Sequence, residues 1–126
     1  SVNVQNILLR VVAWSLGHSD MHAIGVQIVR FTDAHQPGFV ECVLRDAVDR
    51  EWVFSDKAPI FTSVLLDEKS TYPQPGSIAC EIVREWIDEH GRKRCIIDTE
   101  QPWDIAAQTG ETRFEVFCDQ ITTNRA

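Results

Sequence analysis

A chain of 126 residues suits a single domain over residues 1–126 and is long enough to bury a hydrophobic core without disulfides or metals. Hydrophobic residues make up 44% and charged residues 25%, as in an ordinary water-soluble globular protein. The formal net charge of -7 repels nucleic-acid phosphates, and no apolar run reaches the ~20 residues of a membrane-spanning helix, so we expect neither a nucleic-acid partner nor a membrane.

Alternation of apolar and polar residues, with Gly, Pro and Asp at the turns, predicts strands along most of the chain. The predicted strands are Asn6–Leu16, Ile24–Phe31, Phe39–Arg45, Glu51–Ser55, Ile78–Ile87, Arg94–Thr99, Trp103–Ala107 and Thr112–Cys118. No window has a convincing helical period. We therefore predict an all-β fold, a small barrel or sandwich of about seven or eight mostly antiparallel strands with at most one or two short helical turns.

The least regular segment is Lys57–Gly76, which contains three of the five prolines. Pro73 and Pro75 argue against a central strand there, because proline lacks the N–H that a sheet needs. Its middle part, "TSVLLDEKS", is either a capped helical turn or a plain loop. We expect the segment to cross over the sheet and to bury four apolar side chains, namely Ile60, Phe61, Leu65 and Leu66.

The four cysteines lie in apolar alternating rows of predicted strands, which is typical of buried thiols. They contain no C-x-x-C unit, so a zinc knuckle is not expected. No evident hairpin places two of them side by side, and we predict that all four are reduced. Reduced thiols fit the cytoplasm, and a disulfide in a secreted protein is the alternative. The residues concerned are Cys42, Cys80, Cys95 and Cys118.

The stretch "GHSDMH" contains three residues of types that bind metals, His18, Asp20 and His22. The metalloprotease pattern His-Glu-x-x-His is absent, and the glycine, serine and aspartate are ordinary loop formers. We predict a polar loop here with no metal. Catalytic motifs such as Gly-x-Ser-x-Gly and Gly-x-Gly-x-x-Gly are also absent, so we predict no catalytic residue and no cofactor.

The aromatic residues give the best evidence for a binding site. Trp86 and Ile87 are adjacent and point to opposite faces of a regular strand, unless a bulge near Arg84 changes the alternation. One of the two is therefore expected at the surface, where tryptophan beside arginine commonly anchors an interface. The predicted partner-binding residues are Trp86, Arg84, Trp103 and Tyr72.

The sequence thus favours a non-enzymatic interaction module over an enzyme. The acidic balance suits a basic protein partner, as for an inhibitor or immunity-type protein, and a homodimer is a second way to cover an apolar patch. The alternative is a small-ligand-binding barrel with its site at the mouth near the Lys57–Gly76 loop.

Overall fold

The computed structural model describes residues 20–33 and 38–125. The predicted strand Asn6–Leu16, His18 and the turn at residues 34–37 lie outside this part of the chain. Within it the fold is all-β, as predicted: seven antiparallel strands form one curled half-barrel sheet, and the only helical elements are two 3-10 turns, Ala58–Ile60 and Cys118–Gln120. The strands are β1 (Asp20–Asp33), β2 (Phe39–Arg45), β3 (Glu51–Lys57), β4 (Gln74–Ile87), β5 (Lys93–Asp98), β6 (Arg113–Phe117) and β7 (Ile121–Arg125). None of the described residues forms a helix of the length and apolarity needed to span a membrane.

Two long strands organise the sheet, whose order is β3-β2-β1-β4-β5-β6. β1 pairs with β4 on one edge, and on its other edge it pairs first with β7 and then with β2. β4 pairs with β1 through its first half and with β5 through its second half. Because each long strand serves two different neighbours in succession, the sheet curls around a single core.

The core comes from the alternation that the sequence predicts. Ile24 pairs with Ile78, and Ile28 pairs with Cys42, so buried positions of neighbouring strands face the same interior. Phe114 of β6 packs edge-on against Trp52 and Phe54 of β3, with ring centroids 5.1 Å and 5.7 Å apart. The residues with no exposed surface include Ile24, Ile28, Val40, Cys42, Leu44, Phe54, Ile78, Cys80, Cys95, Ile97 and Val116.

Pro75 lies near the start of β4, opposite Gln27 of β1, so a strand does pass through a segment in which no central strand was expected. Among the described strands, β4 pairs at this position with β1 alone and with β5 only from Glu81 onwards. Two residues later, Ser77 points its N–H away from β1 and donates it to the carbonyl of Phe61 at 2.9 Å. Backbone orientation in a strand repeats every two residues. The N–H that Pro75 lacks would therefore also point away from β1, and no bond between β1 and β4 is lost.

The segment that crosses from β3 to β4 is a plain loop after its 3-10 turn, and the helical turn considered for "TSVLLDEKS" is not there. Phe61 is buried, and Ile60 and Leu66 pack partly against the core. Leu65 is 97% exposed, so its predicted burial was wrong. A side chain at the tip of this loop lies beyond the sheet that it crosses.

The predicted strand Trp103–Ala107 is wrong, and one strand, β7, was not predicted. Residues 103–107 form turns and irregular backbone, in which Thr99 donates its hydroxyl to the Ile105 carbonyl and Asp104 has a φ of 58°. Burial of Ile105 and Ala107 alternates as in a strand, and this alternation caused the wrong prediction. β7 was missed because, after Ile121, it is composed of polar residues.

Candidate functional site

A β-bulge in β4 decides which way Trp86 points. Ile82 pairs with Ile97 of β5, and the next pair is Arg84 with Ile96, so Val83 is an extra residue. After the bulge Glu85 opposes the buried Cys95, whereas Trp86 opposes Arg94. Trp86 therefore lies on the outer face of the sheet, and the bulge that the sequence suggested near Arg84 is present.

The outer face of β4, β5 and β6 carries a row of aromatic and arginine side chains. Trp86, Arg94 and Phe117 are cross-strand neighbours in successive strands. The guanidinium of Arg84 lies over the Trp86 ring, 4.9 Å from its centroid. Those of Arg92 and Arg94 lie 3.4 Å and 5.0 Å from the centroid of Phe117. Such stacking keeps the rings half-buried without contact with the core.

A charged network fixes the centre of this face. Arg94 donates from Nε to Oδ2 of Asp88 and from Nη1 to Oε2 of Glu115, each at 2.8 Å. Oδ1 of Asp88 also accepts the backbone N–H groups of His90 and Arg92, each at 2.9 Å. The N–H of Arg92 and then the Arg94 guanidinium lower the pKa of Asp88 below its ordinary value. Asp88 is therefore a fixed negative charge at neutral pH.

A shallow pocket of about 450 Å³ lies beside Trp86 on this outer face. Three of its lining side chains are carboxylates and one is a guanidinium, so the lining carries two more negative than positive charges. The apolar part is the ring of Trp86, while Ile87, which is 69% exposed, borders the pocket but pairs with Lys93 and so points to the opposite face. An aromatic ring next to carboxylates favours an organic cation, because the ring face and the carboxylates both attract positive charge. The lining residues are Trp86, Ile87, Asp88, Glu89, Arg94 and Glu115; we call this the Trp86 pocket.

A second, larger groove of about 780 Å³ runs along the other part of the sheet, between β1, β2 and the start of β4. Its wall includes Pro73, Pro75 and Gly76, the last residues of the long loop that the sequence marked as a candidate ligand-site mouth. Its charged and amide groups are largely bonded to protein groups. Arg45 pairs with carboxylates of the neighbouring turn and strand, and Gln120 donates its amide to the Arg45 carbonyl.

The four predicted partner-binding residues do not form one patch. Arg84 and Trp86 are in contact, at the end of β4. Trp103 follows β5, beyond Asp98, and packs partly against the core. Tyr72 precedes β4, also packs against the core and donates its hydroxyl to the carbonyl of Asp67 at 2.7 Å. Since Asp98 opposes Glu81, the Trp103 segment and Trp86 lie towards opposite ends of the β4–β5 hairpin.

Sequence reasoning missed Phe117 and Arg94 as members of the outer face. The signal was available in β6, where Phe114 and Val116 alternate with Glu115 and Phe117 and are the buried row. Phe117 thus belongs to the row that faces outward. Arg94 could have been found only with the register of β5 and β6, because two of its partners, Glu115 and Phe117, lie on β6.

The cysteine predictions have a mixed outcome. Cys42, Cys80 and Cys95 are buried, and burial raises the pKa of each thiol to about 12. Cys118 is only partly buried. No evident hairpin was expected to place two cysteines side by side, yet the sulfurs of Cys95 and Cys118 are 3.2 Å apart. Cys95 lies in β5, and Cys118 directly follows β6, the antiparallel neighbour of β5. The sequence does not show that these two strands pair.

The "GHSDMH" prediction lies partly outside the described residues, since only residues 20–22 are described. These three residues begin β1, so the polar loop expected there was wrong for this half of the stretch. His22 is described, and its Nδ1 lies 2.9 Å from the hydroxyl of Thr123 on β7. Within residues 20–33 and 38–125, no group of three or more His, Cys, Asp or Glu side chains is placed to hold a metal ion.

Comparison with known proteins gives no relative from which a function can be transferred. The chain has no significant match to a protein-family model, to a curated protein or to a solved structure. The functional interpretation therefore depends on the geometry of the Trp86 pocket and of the groove beside β1.

Proposed function

We propose that the protein is a non-enzymatic interaction module that binds a basic segment of a protein partner at the Trp86 pocket. The observation that carries this proposal is the combination, in one shallow pocket, of an aromatic ring and an excess of carboxylates. Tryptophan supplies the apolar contact, and the carboxylates select a cation over an anion.

The charges of the pocket support a lysine or arginine as the central partner residue. Arg94 is already bonded to Asp88 and Glu115, so it offers little to an incoming carboxylate. Glu89 is 86% exposed, and its contact with Nε2 of His90 is long, at 3.6 Å, so an incoming cation can reach this carboxylate. The guanidinium of Arg84 over the indole of Trp86 is an arrangement that a partner arginine can copy. A partner cation would lie between the ring and the exposed carboxylate.

The charge of the whole chain supports the same class of partner. A net charge of -7 steers a basic protein towards this surface and disfavours acidic competitors. This is the behaviour of an acidic inhibitor or immunity-type protein that covers a basic partner. We retain the cytoplasm as the proposed location, because a reducing compartment would keep the free thiols reduced.

A small-ligand-binding function is the second candidate. The groove of about 780 Å³ falls within the usual range of ligand sites, roughly 300–1,000 Å³, and the end of the Lys57–Gly76 loop forms part of its wall. We rank it second because Arg45 and Gln120, two of its polar groups, are bonded within the protein.

The test is capture of partners from the native host with three forms of the protein: wild type, Trp86→Ala and Leu65→Ala. Leu65→Ala is the matched control, because Leu65 is a 97% exposed apolar residue that lies on the loop before β4 and not in the Trp86 pocket. We expect a basic protein to be retained by wild type and Leu65→Ala, and its affinity to fall at least about fivefold, ~1 kcal/mol, with Trp86→Ala. The substitution Glu89→Lys should weaken the same binding, more so at low salt.

Three results would contradict the proposal. An acidic partner, or a partner that Trp86→Ala retains equally well, would place the binding elsewhere. If binding is lost only because Trp86→Ala melts at a lower temperature, Trp86 has a structural role. A wild-type dimer that Trp86→Ala converts to a monomer would replace the foreign partner by a second copy of the chain.

A further inference from the structure

Cys95 and Cys118 form a pair of neighbouring thiols that the proposed binding function does not use. Cys95 is in the middle of β5, and Cys118 begins the 3-10 turn that follows β6. Cys95 pairs in register with Val116, so Cys118 lies diagonally across from it, two residues further on the same side. The Cys118 thiol donates to the Cys95 sulfur across a non-bonded distance of 3.2 Å.

We propose that Cys95 and Cys118 are a redox modification site, a dithiol that a low-molecular-weight disulfide such as oxidised glutathione converts into an intramolecular disulfide. The sulfurs are 3.2 Å apart and need to approach by roughly 1 Å to reach bonding distance. Cys42 and Cys80 are wholly buried in the sheet and are not part of this site.

The difference in exposure assigns the order of the two steps. Cys118 is partly exposed, so its thiolate attacks one sulfur of oxidised glutathione, and one glutathione thiolate leaves with the electron pair and takes up a proton. Cys95 is fully buried, which raises its pKa to about 12 and makes it a poor first nucleophile. Its sulfur then attacks the Cys118 sulfur, gives its proton to solvent and expels the second glutathione thiolate.

Atoms and electrons balance over the two steps. Two protein thiols are oxidised to one disulfide, and one glutathione disulfide is reduced to two glutathione thiols. The second step is intramolecular, because the two sulfurs are already in contact, and this proximity favours the protein disulfide over a lasting mixed disulfide. The bond would tie β5 to the turn that leads into β7, the strand that pairs with β1.

The test uses the full reduced chain under native conditions. We expect incubation with oxidised glutathione at about pH 8 to remove two of the four thiols, to leave no glutathione on the protein, and to give a linked peptide pair containing Cys95 and Cys118 by mass spectrometry after alkylation. The variants Cys42→Ala and Cys80→Ala, each with three thiols, should also lose two thiols and give the same linked peptide pair. Cys95→Ser, or Cys95→Ala if serine is not tolerated there, should retain glutathione on Cys118.

The wild-type protein alone can overturn the proposal. Four free thiols after prolonged incubation, a stable mixed disulfide on Cys118, or a link that involves Cys42 or Cys80 would each contradict it. The cross-linked form should also unfold at a higher temperature than the reduced form, because the bond restricts the unfolded chain.

Discussion

Asp46 and Asp88 occupy equivalent positions in two hairpin turns, one between β2 and β3 and one between β4 and β5. In each turn, Oδ1 accepts the backbone N–H groups two and four residues later, and Oδ2 accepts a side-chain N–H six residues later. The donors are Val48, Arg50 and the indole of Trp52 for Asp46, and His90, Arg92 and the guanidinium of Arg94 for Asp88. A single carboxylate therefore satisfies the donors that each turn leaves unpaired.

The two turns have similar backbone conformations, but their hairpins present opposite faces to the core. The fourth residue has a positive φ in both, 69° at Asp49 and 79° at Gly91. Two residues before the turn aspartate, β2 has the buried Leu44, whereas β4 has the outward-facing Trp86. The Trp86 pocket therefore depends on which face of the second hairpin turns outward.

Replacement of Asp46 by alanine should destabilise the fold. Asp46 is nearly buried, and its loss leaves the indole N–H of Trp52 and two turn N–H groups without their acceptor. We expect the free energy of unfolding to fall by about 1–3 kcal/mol in urea denaturation. Asp67→Ala is the control, because Asp67 makes a similar local turn in an exposed loop. Equal losses in the two variants would show that the bond to Trp52 contributes nothing.

Asp88 should make stability depend on pH in the acid range. The N–H of Arg92, followed by the Arg94 guanidinium, holds its pKa below the ordinary 3.8, so the folded state favours the charged form. This contribution is complete above about pH 4 and is lost as the pH falls through the lowered pKa. The melting temperature of Asp88→Asn should therefore fall less steeply than that of wild type below pH 4. Parallel curves for the two proteins would contradict the prediction.

Alanine should be tolerated far less well at Gly38 than at Gly91. Both glycines have a positive φ, 83° and 79°, so each substitution has a backbone cost of about 1 kcal/mol. At Gly38 a Cβ would lie 2.7 Å from the Phe31 ring, whereas at Gly91 it would meet no atom within 4 Å. We expect Gly38→Ala to lower the melting temperature clearly more than Gly91→Ala. Equal shifts would mean that the Phe31 ring moves aside freely.

The sequence predicts the strands of this fold better than it predicts the arrangement of the site. The predicted strand Phe39–Arg45 has the same bounds as β2, because its buried residues alternate with more exposed ones without interruption. The same alternation failed at Ile105, where side chains reach the core from irregular backbone. The salt bridge between Arg94 and Glu115 could not be predicted, because it depends on the register of β5 against β6. Local pattern determines which residues are buried, and long-range pairing determines which surface residues meet.

Deletion of Val83 should leave the fold and the direction of Trp86 unchanged. Val83 is the extra residue of the bulge, so its removal joins the pairs Ile82–Ile97 and Arg84–Ile96 into a regular ladder without moving any side chain to the other face. We expect a loss of about 1 kcal/mol or less, since only the local twist changes. Binding at the Trp86 pocket should persist, because Trp86 still opposes Arg94.

Deletion of Val43 from β2 is the matched control for deletion of Val83. Val43 has a partner on each side, Gln27 and Val53, so its removal shifts one half of the strand by one residue and turns buried side chains outward. We expect this variant to fail to give a cooperative melting transition in circular dichroism, whereas the Val83 deletion keeps one. If the Val83 deletion also unfolds the protein, the bulge residue is required for the curl of the sheet, and the outward position of Trp86 is then tied to the stability of the whole fold.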